Sequence, residues 1–506
     1  MSEQASSGTT LDSGLDRFRA DLLMAAEIVI RLYEGLDRAR VTPASSRSSI
    51  ASLFEEPLPE EPASMETILR AVETDVIANS TLSLTPRFFG YINGCGNQAA
   101  ILGSLIAAAM NQVCAKWEFS PSASEMERQV IRWIAELLGY APRAGGCLLS
   151  GGSAGNFVAL AVARTRKATF DAASLGMKPG APLTAFVSQE GHASLDKSMA
   201  LLGMGRNQLR RIAVAEDFTI DLEALLRRVQ EDRKGGFHPF CVVGNAGTTN
   251  TGAVDPLEAL ADFCREQGLW FHVDASYGGP AAATEAAGRL FRGMERADSL
   301  VVNPHKWMYL PVEAACILVR EPRALPETFR ITADYLRDER DESDASLDFK
   351  DCGPQLSRGF RALNVWMTLR AYGARKLRDA IESNIEIMRY LAERIDQSRD
   401  FVRLAPVPLS VVCFQYRTPE TAAHSDSDYL DRLNDLLADA LRDDGRVFVS
   451  KTRVAGRTAL RACSVNHRLR RKDVDFLLEV IRDVARSLSA PRVRGNERRP
   501  QRTGPE

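Results

Sequence analysis

Apolar residues in the central part of the chain fall into short continuous runs rather than strict alternation. GCLLS (146–150), TAFVS (184–188), FCVVGNA (240–246), WFHVDA (270–275), SLVVN (299–303) and ACILV (315–319) each read as a strand that is apolar on both faces. Between them the period lengthens to that of a helix, as over Asn156 to Ala168 and Leu257 to Gln267. Strands of this kind separated by helices predict an α/β fold, with a mostly parallel sheet covered on both faces. Upstream, an amphipathic segment from Leu15 to Leu36 precedes the Ser/Pro-rich stretch VTPASSRSSIASLFEEPLPEEP, expected to be a linker lying over a surface or a partner chain. A helical period resumes near Met65 and is interrupted by TPRFFGYINGCG, an aromatic and glycine-rich loop.

Downstream, residues 336–353 are highly charged and read as a solvated, mobile loop of the kind that can act as a lid. A long helical pattern from Ala371 to Gln397 leads to a second region, about 400–488, where VPLSVVCFQY and TALRACSV are strand-like. The final SAPRVRGNERRPQRTGPE reads as a disordered tail.

Composition narrows the function classes. The chain has 506 residues, 45% hydrophobic and 26% charged, enough for two or three domains with a large core. A net charge of −2 gives no field that favours nucleic acid or an anionic membrane. The opening MSEQASSGTTLDSG lacks the basic and apolar regions of a secretory signal. The longest uncharged stretch, Phe88 to Ala115, is broken by amides and reads as a loop and a buried helix rather than a membrane span. Nine cysteines without a C-x-x-C pair suit reduced thiols in a cytoplasm, and six scattered histidines give no metal-ligand spacing, so no metal is expected.

In open parallel sheets ligands bind beyond the carboxyl ends of the strands. After GCLLS comes GGSAGN, Gly151 to Asn156, opening a helix; it suits a single phosphate, or is only a tight turn. After TAFVS comes His192, which by itself could be structural or exposed. After WFHV comes Asp274, which a buried strand end would require to be paired, or which caps the next turn. After SLVVNPH comes Lys306, either an ordinary exposed lysine or a buried amine held between rings. Pyridoxal 5'-phosphate makes sense of all four. The glycine-serine turn would hold its phosphate and His192 would stack on the ring. Ala275 would pack on the other face, Asp274 would pair with the ring nitrogen, and Lys306 would bind the aldehyde.

From LPEEP to the end of the second region, about residues 58–485, the chain resembles the group II pyridoxal-phosphate amino-acid decarboxylases, which include the aromatic-L-amino-acid decarboxylases. TPRFFGYI, WEFSPSASEME, LLSGGSAGN, GHASLDKS, GTTNTGAVDP, FHVDASYGG, NPHKW, ADYL and RGFRALNVW carry the likeness in order. The resemblance implies fold type I: a large domain with a seven-stranded, mostly parallel sheet, a small α+β C-terminal domain and an N-terminal helical segment. It implies the boundaries 1–85, 86–385, 386–488 and a tail at 489–506, with the first segment packing on the partner of a homodimer whose active sites lie at the interface. It puts covalent attachment on Lys306, the ring-nitrogen pair on Asp274 and stacking on His192. Phosphate contacts fall on Gly152, Ser153, Asn303 and His305, with Thr249 beside the cofactor. Tyr335 in ADYL matches a catalytic-loop tyrosine that returns a proton to Cα, and Phe88, Phe89 and Tyr91 would line the substrate pocket.

The implied reaction is decarboxylation of an L-amino acid, aromatic by the resemblance, to its amine and CO2. The alternatives are a decarboxylating aldehyde synthase and a decarboxylase of a non-aromatic amino acid; Tyr335 and His192 favour simple decarboxylation. Thr85 and Asn364 depart from the family pattern, standing where histidine and lysine are frequent. Ser357, where relatives often have glycine, points to a phenolic substrate or is only a turn residue.

Overall fold

Seven strands make the larger sheet: β2 (Gly145–Leu149), β3 (Leu183–Ser188), β4 (Leu209–Ile212), β5 (His238–Asn245), β6 (Trp270–Asp274), β7 (Ser299–Val302) and β8 (Ala315–Val319). A computed structural model of the chain describes residues 11–177, 182–331, 348–422 and 427–489. The order is β2-β8-β7-β6-β5-β3-β4, and β8 alone runs against its neighbours. All six predicted strands are present with ends displaced by at most two residues. β4 escaped the sequence pattern because only its ends, Leu209 and Ile212, are buried, with Arg210 and Arg211 between them. The chain is thus an α/β protein of fold type I, with helices such as Gly152–Lys167 and Leu257–Gln267 burying one face each against this sheet.

A second sheet, β1-β11-β12-β10-β9, is antiparallel except at β1. Its strands are β1 (Phe88–Phe89), β9 (Phe401–Arg403), β10 (Val411–Tyr416), β11 (Phe448–Val454) and β12 (Arg457–Cys463). The TPRFFGYINGCG loop therefore does more than interrupt a helix: its two phenylalanines pair in parallel with Phe448 and Val449 of the small sheet. The helix Arg361–Asp396 serves both halves, broken once at Gly373, where φ is 72° and a side chain would be strained. Ile381 and Ile385 belong to the large core, and Met388, Leu391 and Ile395 to the small one.

Two segments differ from expectation. The predicted linker contains a short helix, Arg47–Ser52, capped by the Ser46 hydroxyl. The helix Gln98–Met110, expected to be buried, turns its small residues Ala99, Ala100 and Gly103 inward, while Leu102, Leu105, Ile106 and Met110 are exposed. A helix apolar all round shows no period, so its sequence cannot say which face is covered. The tail from residue 490 and the charged stretch over 336–347 lie outside the described residues.

Beneath the phosphate-sized turn, Arg358 is sealed against Glu127. Arg358 also donates to the carbonyls of Cys114 and Leu148 at 2.8 Å each, while Glu127 accepts from Leu148 N–H at 2.8 Å. The pair holds the end of β2 and the approach to Arg361–Asp396 together. Removing one partner leaves the other charge buried and alone, so Arg358→Met is expected to cost about 3–5 kcal/mol. Urea unfolding of the variant against the parent measures this, and a loss below about 1 kcal/mol would contradict it.

Candidate active site

The carboxyl ends of β2, β3, β5, β6 and β7 converge on a cavity of about 290 Å³. β2 delivers Gly151, Gly152 and Ser153 as the chain enters the helix Gly152–Lys167, whose first turn no side chain caps. Gly152 has to be glycine: a Cβ there would sit 2.7 Å from Ser276 Oγ and 2.8 Å from Asn303 Nδ2. β3 leads to His192, and β5 to Asn245, Thr248 and Thr249. β6 ends in Asp274 with Ser276 just beyond, and β7 leads to Asn303, His305 and Lys306.

Asp274 is buried and fully engaged. Its Oδ1 accepts from Ser276 N–H at 3.1 Å and its Oδ2 from Asn156 Nδ2 at 2.9 Å. Burial pushes the carboxyl up, but the Ser276 and Asn156 hydrogen bonds and the nearby positive charge of Lys306 outweigh it and hold the group below its ordinary value. The aspartate is therefore an anion at neutral pH, aimed at whatever cation enters. Asn156 also donates to Ser194 Oγ at 2.8 Å, which in turn lies 2.8 Å from His192 Nδ1. Burial lowers the His192 pKa and favours the neutral ring.

Lys306 sits on a tight turn, its N–H donating to Asn303 O at 2.8 Å. Burial lowers the amine's pKa against the opposing pull of Asp274, which enlarges the fraction able to act as a nucleophile. Among the described residues its amine makes no hydrogen bond or ion pair. Trp307, next in the chain, is fully buried and stacks on Tyr277 at 5.0 Å, with its indole donating to Asn384 Oδ1 at 3.2 Å. It fixes the turn and takes no part in the cavity. Gly94 passes so close that a Cβ would lie 2.2 Å from His305 O and 2.6 Å from Lys306 O, so the glycine-rich loop is shaped to this turn.

Of the predicted site residues, Gly152, Ser153, His192, Thr249, Asp274, Asn303, His305 and Lys306 all line the one cavity. Ala275 is buried just behind it and does not line it. Phe88, Phe89 and Tyr91 do not line it either. Phe89 is sealed in the small core, Phe88 stacks on Phe448 at 5.2 Å, and Tyr91 is 64% exposed. Pairing with β11 sets Phe88 against Phe448 and Phe89 into the small core, an outcome invisible in a two-residue strand. Ser357 is exposed on the loop before Arg361–Asp396. Thr85 is buried, and Asn364 donates to Ser104 Oγ at 2.9 Å, bracing two helices instead of the cavity. Tyr335 lies outside the described residues.

Sequence reasoning missed Asn156, Ser194, Asn245, Thr248 and His272. A signal existed for His272: two residues before Asp274 on one strand, it shares that residue's face. Among the described residues no cluster of His, Cys, Asp or Glu could hold a metal.

The donor set fits pyridoxal phosphate. The Asn303 side chain is 3% exposed and lines the cavity, and among the described residues its Nδ2 donates to no partner, which leaves a donor for a phosphate oxygen. Beside it lie an uncapped helix N-terminus and the Gly152 cradle, together a place for phosphate. Asp274 suits a pyridinium nitrogen and Lys306 an aldehyde.

The model of the "Pyridoxal-dependent decarboxylase conserved domain" matches residues 47–417. An aromatic-L-amino-acid decarboxylase of Bacillus atrophaeus is 30% identical, over 92% of this chain and 95% of that protein. A phenylacetaldehyde synthase of Petunia hybrida is 28% identical, over 87% and 88%. The crystal structure of Oryza sativa TDC with PLP and tryptamine superposes with a TM-score of 0.89 at 28% identity, covering 95% of this chain and all of that one.

Three desolvated histidines at or near this region, His272 buried and His305 and His467 partly so, give a pH signature. Burial pushes His272, His305 and His467 from 6.5 down to about 4. As pH falls below 6.5 the unfolded chain takes up these protons first, so stability drops until the folded values are reached. Buried Asp255, raised to about 6, works in the opposite sense, as do the smaller upward shifts that burial gives Glu190, Asp298 and Asp473, while His192 adds a fourth lowered histidine. Unfolding free energies from urea titrations at pH 7, 6 and 5 should therefore fall as the pH drops below 6, and a flat profile would contradict the desolvation of these rings.

Proposed function

The chain belongs to the pyridoxal-dependent decarboxylase family, and from that premise we propose that it converts an aromatic L-amino acid to the corresponding amine and CO2. The observation that carries the chemistry is the pairing of Asp274 and Lys306 on adjacent strand ends, around one cavity with an uncapped helix N-terminus. The aromatic substrate is supported by the aromatic-L-amino-acid decarboxylase matched over nearly the whole chain. When bound, pyridoxal phosphate supplies an aldehyde that captures amines and a protonated ring that accepts the electrons of the broken Cα–carboxylate bond.

The chain's own residues do the rest. Lys306 would present its neutral amine to the cofactor's aldehyde. Asp274, kept anionic, would hold a proton on the ring nitrogen. Gly152, Ser153, Asn303 and His305, with the helix N-terminus, would hold the phosphate, and Thr249 and buried Ala275 would border the ring. His192, which lines the cavity, would border the cofactor ring. Tyr335, outside the described residues, is proposed to return the proton to Cα. This is why simple decarboxylation is preferred over the oxidative outcome, which the similarity to a phenylacetaldehyde synthase keeps as the second reading.

A homodimer completes the proposal. On Leu15–Glu34, Leu15, Phe18 and Leu23 are exposed, and on Gln98–Met110 so are Leu102, Leu105 and Ile106. Surfaces this apolar mark an interface. The N-terminal segment would pack on the partner, and the exposed Tyr91 and Ser357 are available to complete a substrate pocket. The division into an N-terminal segment, a large domain to residue 385 and a small domain to 488 is supported by the passage of Arg361–Asp396 from one core to the other. Nine free, buried cysteines suit a reducing cytoplasm. No helix among the described residues is long and apolar enough to cross a membrane.

Screening the standard amino acids, DOPA and 5-hydroxytryptophan for CO2 release should give highest turnover on an aromatic member, without stoichiometric peroxide. Peroxide matching product would establish the oxidative reading instead. Lys306→Ala is expected to lose at least a thousandfold in kcat and the visible absorbance of the lysine-bound cofactor; a variant retaining either overturns the assignment. By light scattering the parent should be a dimer, and Leu105→Asp with Ile106→Asp should shift it toward monomer. A monomeric parent with full activity would refute the interface.

A further inference from the structure

Asp274 and His192 are joined by a hydrogen-bonded chain whose direction its two ends determine. At the far end is Trp270, whose indole can only donate and reaches Ser299 Oγ at 2.9 Å. Ser299 Oγ lies 2.9 Å from His272 Nδ1, and His272 Nε2 lies 3.0 Å from Asn156 Oδ1. Asn156 Nδ2 donates to both Asp274 Oδ2, at 2.9 Å, and Ser194 Oγ, at 2.8 Å. Ser194 Oγ lies 2.8 Å from His192 Nδ1, to which the Ser194 N–H also donates at 3.2 Å. Asn156, Ser194, His272 and Ser299 are all at most 2% exposed, so water does not compete for these bonds.

Only one arrangement of protons satisfies both ends. An ionised Asp274 oxygen repels an amide oxygen, so Asn156 presents Nδ2 to it and Oδ1 to His272. His272 Nε2 then carries the ring proton and its Nδ1 is bare. Ser299 donates its O–H to that Nδ1 while accepting from Trp270, which agrees with the donor-only indole. On the other arm Asn156 donates to the Ser194 oxygen, leaving the Ser194 O–H free to point at His192 Nδ1. Two donors thus face His192 Nδ1, and the ring's own proton sits on Nε2. Among the described residues that Nε2 has no hydrogen-bond partner, and His192 lines the cavity.

We propose that Asn156 is a positioning residue: through one amide it couples the ionised state of Asp274 to the tautomer of His272 and turns the Ser194 O–H to join the Ser194 N–H at His192 Nδ1, so that His192 meets the cavity as an Nε2–H donor. This deepens the proposed function, which supplies what Asp274 and His192 face, but the tautomers themselves need no cofactor. Without the Asn156 carbonyl, His272 has an alternative. Its Nδ1 also lies 3.2 Å from Ser299 O, an acceptor for a proton carried on Nδ1. Ser299, by contrast, follows the direction set from Asp274 and does not impose it.

Side-chain nitrogen NMR on the histidine-labelled apo chain at pH 7.5 tests this, with His192→Gln and His272→Gln assigning the signals. In the parent, both rings should be protonated at Nε2. In Asn156→Ala the His272 tautomer ratio should move at least tenfold toward Nδ1–H, whereas in Ser299→Ala it should stay at Nε2–H. The proposal is overturned if either parental ring is protonated at Nδ1, or if folded Asn156→Ala leaves His272 unchanged. It is equally overturned if Ser299→Ala is the variant that switches His272. Should Asn156→Ala fail to fold, Asn156→Leu keeps the shape without the amide; the same shift of His272 toward Nδ1–H is expected, and an unchanged ring would overturn the coupling. Failure of the apo chain to gain visible absorbance with pyridoxal phosphate would instead count against the cofactor reading alone.

Discussion

A carboxylate kept ionised at the buried end of a parallel strand is the constraint on which this molecule's site is built. Asp274 is 8% exposed, and left alone there it would take up a proton. It stays charged because Ser276 N–H and Asn156 Nδ2 donate to it, and because a lysine stands at the end of the neighbouring strand. Each of those partners has its own requirement. Asn156 sits in the first turns of Gly152–Lys167, so that helix must start immediately after β2 and pack close to β6. That in turn requires glycine at 152, since a methyl group would collide with Ser276 and Asn303.

The lysine is placed by a different set of contacts. Its turn is clamped by Trp307 and Tyr309, which both donate to Asn384 Oδ1, and Asn384 Nδ2 holds Asn466 O in the small half. Tyr277, against which Trp307 stacks, lies 2.6 Å from Ser410 Oγ, also from the small half. Arg461 of β12 reaches the carbonyls of both Tyr91 and Thr249. The cavity is lined by the large sheet, yet the small sheet braces its rim. A shift between the halves would therefore be felt at Lys306 and Thr249 first.

Much of this was legible in the chain. Continuous apolar runs gave away six strands, and the rule that parallel sheets bind ligands at their carboxyl ends singled out His192, Asp274 and Lys306. The GGSAGN turn was recognisable as an anion site, although a tight turn served equally well until the structure put an uncapped helix N-terminus and the Gly152 cradle at the cavity. Local pattern failed where burial depends on partners far away in sequence. Nothing in the two residues Phe88–Phe89 says that they will extend the small sheet beside Phe448. Nothing in the apolar Gln98–Met110 says which side faces Arg361–Asp396 and which stays uncovered.

By itself the sequence determined the class of chemistry, because strand period, small residues at turns and the spacing of an aspartate and a lysine are local properties. Only the tertiary structure decided the charge states. Whether Asp274 is an anion, whether Lys306 can shed its proton and which nitrogen of His192 carries one depend on donors, burial and distances contributed by separate strands. Those quantities exist only once the chain has closed on itself, because desolvation and hydrogen-bond direction are set in three dimensions.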